Sequence, residues 1–212
     1  MHIETFIVGA YEVNCYIASA AGGAEAVVFD PGANADDLAA YLRAEHLAPV
    51  AYLLTHGHAD HIGGIEPLLA AFPAPVYLHT EDQRWAFSPR NALPPFYFPP
   101  KAPPADLRAI SEGDELHLAG LTFRVIATPG HTPGGVCYYA EKAQALFTGD
   151  TLFQGTVGRT DLPGGDSRVL TQSLKKLAVL PPATRVYPGH GPASTIAEEH
   201  RTNIYLRAPA PS

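Results

Sequence analysis

Residues Thr55-His56-Gly57-His58-Ala59-Asp60-His61 place three imidazoles and a carboxylate within six positions, directly after an apolar run. Core packing never needs that density of polar rings. His56 and His58 alternate as extended residues do, which turns both rings to one side of the chain. Asp60 and His61 follow on what reads as a loop kept open by Gly63-Gly64. A neutral imidazole offers one ring nitrogen to a metal ion, and a carboxylate adds hard oxygen donors and offsets cationic charge. The segment reads as a metal cradle with room for more than one ion.

Three further segments share one syntax, in which an apolar strand ends, glycine or proline breaks it, and a donor-type residue stands at the break. They are Thr128-Pro129-Gly130-His131-Thr132-Pro133-Gly134, Phe147-Thr148-Gly149-Asp150-Thr151 and Tyr187-Pro188-Gly189-His190-Gly191-Pro192. Carboxyl ends of strands are where α/β folds collect functional groups. A single Pro-Gly-His turn would be an ordinary loop; four such segments in one chain form a constellation. His2, His46, His79, His117 and His200 stand in no such turn and are assigned structural or surface roles. His79, closing a strand, is the one candidate among them for supporting the site.

The elements that must position these groups follow from hydrophobic patterning. Residues 3–8, 13–18 and 25–29 are short, β-branched and aromatic-rich, and read as an antiparallel meander. Asn34 is placed to cap a helix through Leu38, Leu42 and Leu47, whose spacing is helical. The continuous apolar run 50–54 reads as a buried strand that delivers the histidine motif. A helix around 64–72, a strand at 75–79 and a short helix near 80–87 follow. Strands are expected at 114–118, 121–127, 135–140, 144–148 and 185–187, with helices at about 167–179 and 194–206. Between Ser88 and Pro104 stand seven prolines and the triplet Phe96-Tyr97-Phe98. That composition predicts no regular element there but a surface connector, with some aromatic contact to substrate or partner left open.

Composition bounds the function. The chain has 212 residues and 46% hydrophobic content, which predicts one globular domain over residues 1–207 with a flexible tail at 208–212. The net charge of −7, from 14 basic and 21 acidic residues, argues against nucleic acid as a partner. Met1-His2-Ile3-Glu4 has no basic or apolar leader pattern, and no run approaches a membrane span, so a cytoplasmic location is expected. Cys15 and Cys137 sit inside apolar strand-like runs and read as buried thiols.

Taken in order, His56-X-His58-X-Asp60-His61, His131, Asp150 and His190 resemble the ligand set of the metallo-β-lactamase superfamily. Asp30, ending a strand, is similar to that superfamily's first, non-ligand motif. The resemblance covers nearly the whole chain. It implies an α/β architecture, the αβ/βα four-layer sandwich, with a metal site at one edge of the two sheets. More narrowly, Gly158-Arg159-Thr160-Asp161-Leu162-Pro163-Gly164-Gly165-Asp166 resembles glyoxalase II-like hydrolases of the short bacterial hydroxyacylglutathione hydrolase type. So does the ending Pro188-Gly189-His190-Gly191-Pro192 with Ser194, Thr195, Glu198 and Asn203. Members of that group carry Asn-Pro where this chain has Asn203-Ile204.

Carried over by position, the resemblance implies that His56, His58 and His131 hold a first metal and that Asp60, His61 and His190 hold a second, with Asp150 bridging. Two dications close together repel, so a bridging carboxylate and a bridging hydroxide are needed to hold them. Asp60 is also placed to orient that hydroxide. Two divalent ions are expected, zinc first, with iron or manganese as alternatives. The implied reaction is hydrolysis of a small-molecule thioester such as S-lactoylglutathione or a related acyl-thiol, with no catalytic serine, since no Gly-X-Ser-X-Gly elbow occurs. Arg159 stands where members place a basic residue near the thiol cofactor's carboxylate and is the substrate-contact candidate. Longer glyoxalase II enzymes add a helical domain with basic residues for glutathione. With the chain stopping at Ser212, the expectation is that those contacts are missing and the thiol carrier is open. Oligomeric state is not legible.

Three rivals are weighed. A persulfide dioxygenase resembles the same motifs but uses one Fe(II), here on His56, His131 and Asp150; the Leu-Pro-Gly-Gly-Asp run favours the hydrolase. A β-lactamase is disfavoured because the subclasses compared lack an aspartate at the position of Asp150. A non-catalytic metal-binding protein of the same fold would be marked by a lost ligand, and none of the seven is lost.

Overall fold

The amino-terminal meander forms where the alternation of β-branched and aromatic residues puts it: β1 (His2–Val8), β2 (Val13–Ser19) and β3 (Glu25–Phe29) pair antiparallel in sequence. The computed structural model describes residues 1–206, so the tail expected at 208–212 lies outside the described residues. Helix α1 (Ala35–Ala44) crosses over to β4 (Ala48–Leu53), which runs parallel to β3. The one-turn helix α2 (Ala59–Ile62) and helix α3 (Ile65–Ala71) lead to β5 (Val76–His79), also parallel. The short α4 (Thr80–Gln83) and the proline-rich segment then return the chain to β6 (Leu107–Ile110), parallel to β5 at the edge. These six strands form one sheet in sequence order.

The second sheet is an antiparallel run of β7 (Glu115–Leu118), β8 (Leu121–Ala127), β9 (Val136–Ala140) and β10 (Ala145–Gly149). A small hairpin, β11 (Leu152–Phe153) with β12 (Thr156–Val157), precedes helix α5 (Ser167–Ala178). Strand β13 (Arg185–Pro188) then inserts parallel to β10, and β14 (Ser194–Thr195) and helix α6 (Ile196–Thr202) follow.

Strand residues alternate between two cores. In β2, Tyr16 and Ala18 face the other sheet, while Cys15 and Ile17 face the helices. Between the sheets lie Phe29, Phe123, Tyr138 and Phe147, with Phe29 stacked on Phe147 at 4.0 Å between ring centroids. Outside the first sheet, Leu38 and Leu42 of α1 and Ile65 and Leu68 of α3 pack on Val28, Tyr52 and Leu54. Outside the second, Leu170, Leu174 and Leu177 of α5 pack on Cys137, Leu146 and Val186. Each fully buried side chain of this size contributes roughly 1.5–3 kcal/mol, so three separate cores hold four layers together. This is the αβ/βα sandwich that the motif resemblance implies. Both cysteines are free and buried, as expected. Among the described residues no helix is long and apolar enough to cross a membrane.

Several local expectations are corrected. Asp60 and His61 lie not on an open loop but on α2, whose turn is closed by the Gly63 N–H on Ala59 O. Helix α1 ends before Leu47, which instead leads into β4. Asn34 precedes α1 with φ 53° and makes no capping bond; its side chain joins the Gly9 N–H to the Asp37 carboxylate. The last predicted helix begins with the two residues of β14. The segment 88–104 is not merely a surface connector: it holds a 3-10 turn at Pro89–Asn91, and Asn91 and Tyr97 are buried.

Candidate metal centre

All seven predicted donor residues meet at the carboxyl-terminal ends of strands. His56 and His58 follow β4, Asp60 and His61 ride on α2, and His131, Asp150 and His190 follow β8, β10 and β13. His56, His58 and His131 bring one donor atom each within 4.8 Å of one another, and so do Asp60, His61 and His190. Asp150 lies between these two groups. Its Oδ2 stands 3.5 Å from His131 Nε2 and 3.6 Å from His190 Nε2, while Oδ1 is 3.4 Å from His61 Nε2. Asp60 Oδ2 is 3.9 Å from His61 Nε2 and 3.8 Å from His190 Nε2.

The backs of the rings decide which nitrogen faces inward. A carbonyl can only accept, so His131 donates Nδ1–H to Arg159 O at 2.7 Å and His190 donates Nδ1–H to Tyr11 O at 2.9 Å. His61 Nδ1 meets Asp30 Oδ2 at 3.1 Å. The Thr55 hydroxyl is spent on Asp30 Oδ2 at 2.6 Å and so accepts from His56 Nδ1 at 3.1 Å. In these four rings Nδ1 is engaged from behind and Nε2 faces the centre, the usual arrangement of a metal-binding histidine. His58 presents Nδ1 instead, 3.0 Å from His131 Nε2.

The residues fit divalent ions. His56 Nε2, His61 Nε2 and Asp150 Oδ1 are buried with no hydrogen-bond partner, a costly state unless something else satisfies them. Donors at about 2.1 Å around a tetrahedral ion lie about 3.4 Å apart, close to the spacings around Asp150. A Cβ on Gly189 would run into the Asp150 carboxylate and the His61 ring, so only glycine leaves that space open. The trio Asp30, His56 and His61 is equally close. Asp30, however, already accepts from the Thr55 N–H and hydroxyl and from His61, so it braces the site from behind.

The electrostatics carry the same demand for a cation. Burial, and then the neighbouring His61, push His56 well below the ordinary imidazole range. Burial followed by His131 brings His58 down to about 3. For His61 burial also disfavours the charge, but Asp150 and Asp60 outweigh it and raise its pKa. Asp150, which burial alone would raise, is held below the usual carboxylate range chiefly by His61. The carboxylates thus attract positive charge that His56 and His58, buried beside other rings, disfavour.

Arg159 meets the site through its backbone, since its carbonyl orients His131, while the guanidinium is exposed and pairs with Asp161 at 2.7 and 2.8 Å. Among the other histidines, His79 accepts the Glu81 N–H as the cap of α4 and does not touch the donors. The residue of that turn that reaches the donor-bearing loops is Asp82, through Gly57, Thr132 and Gly134, and sequence reasoning missed it. Asn14 and Tyr16 were also missed: Asn14 Nδ2 donates to Pro188 O and Gly191 O, and Tyr16 donates to Pro188 O. Together they fix the turn that carries His190. No local motif marks any of the three; only their burial does.

Comparison with known proteins agrees with this geometry. The family profile of the metallo-β-lactamase superfamily matches residues 8–190, and the chain belongs to that superfamily. A probable metallo-hydrolase, YqgX, of Bacillus subtilis is 39% identical over 186 residues, covering 86% of this chain and 87% of that protein. The hydroxyacylglutathione hydrolase GloC of Haemophilus influenzae is 34% identical over 217 residues, covering 98% and 99%. Among solved structures, the B3 metallo-β-lactamase BLEG-1 superposes with a TM-score of 0.90 at 39% identity, covering 98% of this chain and all of that one. TTHA1623, solved in a di-iron-bound form, gives 0.80 at 39%, covering 95% and 99%. ETHE1 from Myxococcus xanthus gives 0.79 at 30%, covering 96% and 84%.

Proposed function

We propose that this chain is a metal-dependent hydrolase that holds two divalent ions and cleaves a small-molecule thioester, S-lactoylglutathione or a related acyl-thiol. The observation that carries the reading is Asp150, whose two oxygens face histidines of both donor groups at 3.4–3.6 Å. In it, His56, His58 and His131 hold one ion, Asp60, His61 and His190 the other, and Asp150 both. When bound, such ions supply Lewis acidity and a water nucleophilic at neutral pH. Zinc suits this donor set, as do iron and manganese, and the di-iron form of TTHA1623 keeps iron in view.

The chain's own residues do the rest. Asp60 orients the attacking water, which sheds a proton as it attacks. The new C–O bond forms as the C–S bond breaks, and the proton passes to the departing sulfur, giving a carboxylic acid and a thiol. Arg159 offers its guanidinium to a carboxylate on the thiol carrier, which would replace Asp161 as its partner. The likeness to GloC supports the thioester; the likeness to ETHE1 supports the mononuclear Fe(II) dioxygenase as the alternative.

The test is metal content per chain after anaerobic purification with separate zinc and iron supply, followed by an acyl-glutathione panel. Near two ions and thioester turnover are expected. One iron that zinc cannot replace, with oxygen uptake on glutathione persulfide, would overturn the reading in favour of the dioxygenase. The similarity to BLEG-1 makes a β-lactam the control substrate, and β-lactam turnover without thioester turnover would also refute it.

A further inference from the structure

Asp82 sits in α4 within Thr80-Glu81-Asp82-Gln83, a stretch that reads as the acidic first turn of an ordinary helix. Its side chain is nonetheless fully buried. The carboxylate accepts three hydrogen bonds: from the Gly57 N–H at 2.9 Å, the Thr132 hydroxyl at 2.7 Å and the Gly134 N–H at 2.7 Å. Gly57 separates His56 from His58, and Thr132 follows His131. One carboxylate thus spans two loops that come from different sheets and supply the three histidines of one donor group. Asn91 completes the grip by donating to the Gly57 carbonyl at 2.7 Å, so both polar groups of that residue are held by side chains. Gly134 is part of the same fit, because a Cβ there would stand 2.7 Å from Asp82 Oδ1.

We propose that Asp82 is the positioning residue of the three-histidine site: its buried carboxylate ties the Gly57 peptide to Thr132 and Gly134 and so sets His56 and His58 against His131. Hydrogen bonds to an ionised acceptor are shorter and stronger than neutral ones, and all three donors here point at one group. An amide at this position has a single acceptor oxygen and turns an NH2 towards N–H or O–H donors, so at least one bond is lost. The other donor group, Asp60, His61 and His190, is braced by Asp30 and Tyr11 and does not share this clamp. The effect is therefore confined to one ion.

The inference rests on the reading of His56, His58 and His131 as metal donors, and the experiment separates the two. The native chain, Asp82→Asn, Thr132→Val, His131→Ala and Glu199→Gln are loaded with zinc and titrated with a chromophoric chelator, with melting temperatures recorded and Co(II) spectra taken in parallel. Glu199 is the structural control: it too is a buried carboxylate, accepting from the Gly155 N–H at 2.9 Å and Asn203 Nδ2 at 2.8 Å, away from the donors. Asp82→Asn is expected to weaken retention of one ion roughly 10–100-fold, with the other ion unchanged. Thr132→Val, which removes one donor and keeps the carboxylate, gives a smaller loss at the same ion. Glu199→Gln lowers the melting temperature and leaves both ions in place. Native affinity for both ions in Asp82→Asn, with only a stability loss, overturns the proposal. If His131→Ala keeps every ion of the native chain, the three-histidine reading itself fails, and the proposal with it.

Discussion

Tyr97 and Tyr11 are joined by a hydrogen bond in which the Tyr97 hydroxyl accepts the Tyr11 N–H at 2.8 Å. The carbonyl of the same Tyr11 accepts His190 Nδ1–H at 2.9 Å. The rings stand 5.0 Å apart. A residue of the proline-rich segment thus fixes the peptide that aims a donor histidine. Tyr97→Phe keeps the ring and removes the acceptor. It is expected to weaken retention of one ion roughly tenfold while the ion at the three-histidine group is unchanged. Chelator titration of the zinc-loaded variant checks this, and equal loss of both ions would point to general loosening instead.

Asp150 stands between the two donor groups, facing histidines of both. Asp150→Ala is expected to reduce bound metal from two ions to one or none and to abolish turnover. Elemental analysis reads the first effect directly. A variant that retained two ions and full activity would sink the bridging assignment.

Arg159 is tested through its charge alone, because its backbone carbonyl still orients His131 in any substitution. Arg159→Ala is expected to raise KM for glutathione thioesters several-fold, and more than for uncharged thioesters, a several-fold change being about 1 kcal/mol of binding. Equal effects on both substrates would remove the guanidinium from the substrate site.

Cys15 and Cys137 are buried, and burial raises both thiols, Cys137 to about 12. The thiolate is the reactive form, and a raised pKa leaves almost none of it at pH 8. A thiol reagent at that pH is expected to find no reactive cysteine in the native chain and two after unfolding. Rapid labelling of either residue in the native state would contradict the packing described for β2 or β9.

Much of the centre was legible because five of the seven donors stand beside glycine after an apolar run and the other two follow at once in the same motif, a pattern local enough to read. Most strands and helices followed from the same runs, while the four-layer arrangement came from the motif resemblance. The supports were not legible. Asp82 is three residues past a strand, and its partners are 25, 50 and 52 positions away. Tyr97 reaches Tyr11 across 86 positions from a stretch whose prolines signal only the absence of regular structure. Strand β6 escaped because only Leu107 and Ile110 of its four residues turn inward, too short an alternation to read. Helix α2 escaped because its following glycines read as an open loop, although the turn closes by backbone hydrogen bonds.

The donors are divided between the two sheets, four from the β4 end of the first and three from the β8, β10 and β13 ends of the second. An ion held by both sets is therefore a cross-link between halves of the chain, closing loops that run from residue 56 to residue 190. Like a disulfide, such a tie acts largely on the unfolded chain, whose freedom it would restrict. Removing the ion should then be felt first where the sheets separate, at the Phe29–Phe147 stack, rather than in the helices outside.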